Sequence, residues 1–243
     1  MSAQRLPPET VVAIWEQGAD RHPIDLALLL LRYGSADGAP DSEDWPIGRR
    51  DRRLIEIRRE TFGDRIDGYI ECPSCGNGLE FTLSCTGLVA EQRQGDQAPA
   101  AVEAQGVRWE LREPTSRDLA TVAGIMNLDQ ATQALLTRCL RNMDGGTIAA
   151  ASVDEAHHSR LIAHLGGLDP LAEIMIDLNC RSCGHRWQSL FDIVAFFWNE
   201  IQAKARRLFQ EIDLLARTYG WTERDFFALS ERRRRCYVQM ALS

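Results

Sequence analysis

The chain has 243 residues, enough for one large domain or two small ones, and its 44% hydrophobic and 26% charged residues are those of a globular protein with a sizeable core. Its 35 acidic against 28 basic side chains leave a formal charge of −7, which disfavours a nucleic-acid partner unless basic residues are segregated. The longest apolar run, Leu26 to Leu31, falls far short of the ~18 residues that suggest a membrane span, and MSAQRLPPET has no apolar core of signal-peptide length; no membrane association and a cytoplasmic location are expected.

Glu9 to Tyr33 reads as two helices, with Pro23 in the first turn of the second, where its missing N–H has no intrahelical role. Residues 34–46 are a polar, Gly/Pro-rich loop. Gly48 to Phe62 is helical and highly charged, with Leu54, Ile55, Ile57 and Phe62 as its apolar residues. Its arginines at 49, 50, 52, 53, 58 and 59 alternate with Asp51, Glu56 and Glu60, which predicts a half-exposed helix with solvated salt bridges or a partner surface.

From Arg65 to Leu83 the period changes to that of a β-hairpin with cysteines at its tip. Ala90 to Gly106 is polar and small, a linker or exposed loop. Val107 to Glu113 alternates as a strand, and Thr115 with Asp118 has capping-box spacing for the helix that follows. Further helices are expected over Asp129–Met143 and Ser152–Leu165, the latter with Ser152 and Glu155 at the same spacing. A third start is expected at Asp169-Pro170, with Asp169 as N-cap. Ile174 to Phe191 is a second strand pair around a second cysteine turn. A long helix then runs from about Asp192 to Tyr219, its stripe Ile193, Phe197, Ile201, Ala205, Leu208, Ile212, Leu215 and Tyr219, with Gly220 as its stop. Thr222 with Asp225, and then Ser230, open two short helices.

The chemistry lies in an internal repeat. YIECPSCGNGLEFTL and DLNCRSCGHRWQSLF each place C-x-S-C-G between an incoming and an outgoing strand. A C-x-x-C turn lets two sulfurs converge on one ion, and the glycine after it (Gly76, Gly184) permits the positive φ that completes the turn. Cys72, Cys75, Cys180 and Cys183 are therefore the predicted ligands of one structural zinc, a closed four-thiolate set without a catalytic position. The separation is unusual: 104 residues lie between Cys75 and Cys180, where ordinary ribbons have about 15–20. The insertion must fold on its own, and because loop-closure entropy grows only logarithmically its length is tolerable.

The other candidates have plainer readings. A redox C-x-x-C sits at a helix N-terminus, whereas strands flank both copies here. Cys85 is a spare ligand or a small buried residue, and His185, next to the second knuckle, is a second spare. Cys139 and Cys236 fall in helical patterns, and His157 and His158 on a polar helix. Arg232–Arg235 is the sharpest basic run, a nucleic-acid contact or a charged face near a helix C-terminus. Phe191, Phe196, Phe197 and Trp198 form an aromatic stripe suited to core packing. No G-x-S-x-G, H-E-x-x-H or P-loop is present, so neither catalysis nor a small-molecule substrate is expected.

The order of LLLLRYG, WPIGRRDRRLIEIRRETFG, YIECPSCG, REPTSRDLA, LLTRCL, CRSCGHRW and GWTERDFFALSERRRRCYVQM along the chain resembles the zinc-ribbon proteins encoded in baseplate loci of contractile phage tails and phage-tail-like contractile injection systems, akin to the baseplate hub assembly chaperones of myoviruses. That resemblance implies a non-enzymatic role in building a baseplate, with a hub or other baseplate component as protein partner; the alternative is a nucleic-acid-binding zinc-ribbon regulator. The expected fold is α+β and mainly helical: a helical region (1–64), a first knuckle hairpin (65–89), an inserted strand-plus-helices subdomain (90–173), a second knuckle hairpin (174–191) and C-terminal helices (192–243).

Overall fold

The computed structural model describes residues 2–91, 101–104, 107–142, 161, 162, 164, 165 and 167–243, and the elements below are those of the described residues. The fold is mixed α and β. Helices α1 (Pro8–Gly18), α2 (Pro23–Gly34) and α3 (Ile47–Phe62) precede a hairpin of β1 (Arg65–Glu71) and β2 (Gly78–Ser84). After α4 (Cys85–Glu91) come β3 (Ala101–Ala104), β4 (Val107–Leu111), α5 (Ser116–Val122), α6 (Leu128–Cys139) and β5 (Leu140–Asn142). A second hairpin of β6 (Met175–Asn179) and β7 (Arg186–Leu190) leads into α7 (Ile193–Tyr219), α8 (Glu223–Ala228) and α9 (Glu231–Ala241).

The large core is built on α7. Its stripe of Ile193, Phe197, Ile201, Ala205, Leu208 and Leu215 is buried against α1, α2 and α3, while Tyr219 at the end of the stripe is exposed. Each fully buried Ile, Leu or Phe contributes roughly 1.5–3 kcal/mol. The Asp192 carboxylate accepts from the Val194 and Ala195 N–H groups at the start of α7, and Gly220 ends it in the left-handed conformation. Phe191 and Phe197 are buried and Phe196 and Trp198 half-buried against the same core, the packing role expected of them.

Both hairpins belong to this core by their inner faces. The register places Ile66 opposite Leu83 and Ile70 opposite Leu79 in the first, and Leu178 opposite Trp187 in the second. Ile66, Ile176 and Leu178 are buried there. A smaller core, Trp109, Leu111, Leu136, Cys139, Leu140, Leu161 and Leu168, lies entirely in the stretch between the knuckles. Asp118 organises its rim. The Thr115–Asp118 capping box opens α5, and the same carboxylate takes Arg112 (2.6 and 2.9 Å) and Arg138 (2.8 Å).

Several expectations are corrected. The Ala90–Gly106 linker contains a strand, β3, which pairs with β4. The helix expected to Met143 stops at Cys139, and Leu140–Asn142 adds a third strand beside β4. Local periodicity there was helical, and the neighbouring strand overrode it. Ser152, Glu155, His157 and His158 lie outside the described residues. Asp169-Pro170 opens a three-residue 3-10 turn, and Asp169 makes no local cap. Its carboxylate instead accepts the Gly48 N–H at 2.6 Å, 121 positions earlier, in the uncapped first turn of α3. A Cβ at position 48 would meet Asp169 Oδ1 at 1.7 Å, so only glycine admits this cap.

The charged helix α3 is not simply half-exposed with solvated charges. Arg50, Asp51 and Arg58 are buried. Arg58, 3% exposed, holds Glu200 of α7 in a two-point ion pair (2.9 and 2.6 Å) and donates to the Gly63 and Arg65 carbonyls (2.6 and 2.8 Å). Arg50 pairs with Asp51 (2.7 Å) and reaches Ser116 of α5 (3.2 Å). A planar guanidinium with five donors can be buried where each donor finds an oxygen.

Candidate metal centre

Each knuckle closes with the same two backbone bonds. The Gly76 N–H donates to the Cys72 carbonyl and the Gly184 N–H to that of Cys180, both at 2.9 Å. The Cys72 N–H donates to the Asn77 carbonyl (2.9 Å) and the Cys180 N–H to that of His185 (2.8 Å). The glycines turn the chain at φ +72° and +75°, and no atom lies within 4 Å of where a Cβ would stand. Backbone conformation, not crowding, selects glycine.

The two knuckles meet tip to tip. The sulfurs of Cys72, Cys75, Cys180 and Cys183 all lie within 4.8 Å of one another. Cys72 faces Cys183 at 3.7 Å and Cys75 faces Cys180 at 3.7 Å, so each close pair spans both hairpins. Cys72 and Cys180 are buried and Cys75 and Cys183 exposed, the same order in each copy. Asn77, which follows the first knuckle, donates its side-chain amide to the Ser182 hydroxyl inside the second. This cross-link was not anticipated from the sequence, and its signal was the two polar residues within and after the repeated C-x-S-C-G.

The electrostatics suit a cation. Backbone N–H groups of Cys183 and Ser182 point at the Cys180 sulfur and hold that thiol down at about 6. At Cys75 the Asn77 backbone N–H also draws the pKa down, but the adjoining Cys183, Cys180 and Cys72 sulfurs outweigh it and push the thiol up to about 12. Thiolates this close repel, and a bound ion removes the conflict. The four cysteines could hold one metal ion.

The remaining candidates lie elsewhere. Cys85 is buried in the large core with its sulfur 3.6 Å from Arg58 Nη1, and burial pushes its thiol up. His185 supplies a carbonyl to its knuckle while its ring stacks on Trp187. Cys139 is enclosed in the smaller core, where burial pushes it up to about 11. Cys236 is exposed.

The Arg232–Arg235 run opens α9, so the favourable helix C-terminus expected for it is corrected. Arg234 is 3% exposed, lies over the Phe226 ring at 4.7 Å and faces Glu211 at 3.3 Å; Arg235 pairs with Glu231. Arg234 is thus committed within the fold while Arg235 stays on the surface, so the run is not a continuous free basic patch. No described helix is long and apolar enough to cross a membrane.

A family model described as "T4 bacteriophage base plate protein" matches residues 35–198, a span that contains all four cysteines and both hairpins. No curated protein and no solved structure matches the chain.

Proposed function

The chain belongs to the T4 bacteriophage base plate protein family, and from that premise we propose that it is a non-enzymatic assembly factor or minor component of a contractile tail baseplate, with one structural zinc on Cys72, Cys75, Cys180 and Cys183. The partner is a protein of the baseplate or its hub, held until or while it is incorporated. In this reading the hairpins of 65–89 and 174–191 are the two halves of a split zinc ribbon, 90–173 is its insertion, and 1–64 with 192–243 is the helical body.

The observation that carries the metal assignment is the sulfur spacing. Four thiolates about 2.3 Å from one zinc stand about 3.8 Å apart, and the two close pairs are at 3.7 Å. Four thiolates also fill a tetrahedral ion and leave no position for water or substrate, which supports a structural role. When bound, the ion cancels the thiolate charge and ties the two hairpins together.

The test is metal analysis of the purified full chain, then co-purification with baseplate proteins co-expressed from the same locus. One zinc per chain and a retained baseplate protein are expected. Full metal content in Cys180→Ser would overturn the shared site, and the absence of any baseplate partner would overturn the role.

A further inference from the structure

A cleft of about 960 Å³ lies between the two hairpins, bounded by β1 and β2 on one side and by β6 and the second knuckle on the other. Four backbone bonds fix the phase of both ladders. Cys72 to Asn77 and Cys85 to Asp64 are hydrogen-bonded pairs in the first hairpin, and Cys180 to His185 and Phe191 to Ile174 in the second. Antiparallel pairs alternate, so the intervening residues turn their N–H and C=O groups away from the partner strand. Along β6, which lines the cleft, these are Asp177 and Asn179.

Each hairpin is a two-stranded sheet, and among the described residues no third strand takes those groups. Main-chain groups in a row at strand spacing are a template for an added strand. Tyr69, 66% exposed, adds an apolar surface at the same cleft. The Asn77–Ser182 bond joins the hairpins at the knuckle end.

We propose that this cleft takes an extended segment of a protein partner as an added β-strand, hydrogen-bonded to the outward edge of β6, with an apolar side chain of the segment on Tyr69. That the partner is a baseplate protein rests on the functional reading above; the strand-accepting cleft does not.

The test selects binders to the metal-loaded full chain from a displayed library of random 12-residue peptides. Asp177→Pro removes one outward N–H, and an edge strand tolerates proline; Asp177→Ala keeps that N–H. Selected peptides should bind Asp177→Pro about tenfold more weakly, as expected for a lost main-chain bond with its partner left unmatched, and Asp177→Ala as tightly as the parent. Peptides N-methylated at alternate residues should lose binding to the parent in one of the two phases and keep it in the other, a readout that stands even if Asp177→Pro folds poorly. No enriched peptide, binding indifferent to Asp177→Pro and N-methylation, or a dimer of this chain that Asp177→Pro dissolves would each overturn the proposal. Baseplate co-purification with no enriched peptide sinks the cleft and spares the functional reading; peptide binding without baseplate co-purification does the reverse.

Discussion

The two hairpins end in the same knuckle and are anchored by different chemistry. The first is held by a buried ion: Arg58 joins the Gly63 and Arg65 carbonyls at the base of β1 to Glu200 of α7. The second is held by chain continuity, since the Phe191 N–H closes its base on the Ile174 carbonyl and Asp192 caps α7 one residue later. Equal tips on unequal bases show that the repeat specifies the four-cysteine cluster alone. What fastens each half to the body is decided by residues outside it.

The largest expected effect tests the equality of the tips. Cys72→Ser and Cys180→Ser should both empty the shared site and cost about 4 kcal/mol when metal stands at ~1,000 times its Kd, on the order of 10 °C in melting temperature. Metal analysis and calorimetry would check it; one variant that keeps its metal would separate the knuckles into two sites.

Arg58→Met tests the inequality of the bases. It strands Glu200, which is 24% exposed, so about 3 kcal/mol is expected, at the lower end for a broken buried pair. Hydrogen exchange should accelerate in β1 and β2 and stay slow in β6 and β7. Equal acceleration in both hairpins would refute separate anchoring.

Acid should loosen a third place, the insertion. Burial by itself would raise the Asp118 pKa, but Arg112 and Arg138 outweigh it and hold the carboxyl far below its usual range. A depressed carboxyl stabilises the fold above its unfolded pKa, near 3.8, and that stability is lost as pH falls below it. Asp118→Asn should cost about 2 kcal/mol at neutral pH and flatten this acid limb, as seen in melting temperature against pH. A limb unchanged in the variant would assign it to another group.

The smallest effect is the most symmetrical. Gly76→Ala and Gly184→Ala should each cost about 1 kcal/mol, since only backbone conformation opposes them. Chemical denaturation would measure both, and a twofold disparity would mean that the knuckles differ beyond their turns.

The four-cysteine constellation, the long helix and the caps at Thr115, Thr222 and Ser230 were legible in the chain because each is a short-range pattern: a spacing, a period or a side chain reaching its own backbone. Such interactions are encoded within a few residues. What tertiary structure alone decided is where charge goes. Asp169 looked like a local cap and serves Gly48 instead; Arg58 and Arg234 looked solvated and are buried beside Glu200 and Glu211. A charged side chain chooses between water and the interior according to whether a partner from a distant segment is already there, and a linear pattern does not contain that distance. The same holds for the cleft between the hairpins. Its strands are visible one at a time, but β6 comes to face the first hairpin only when the two knuckles meet.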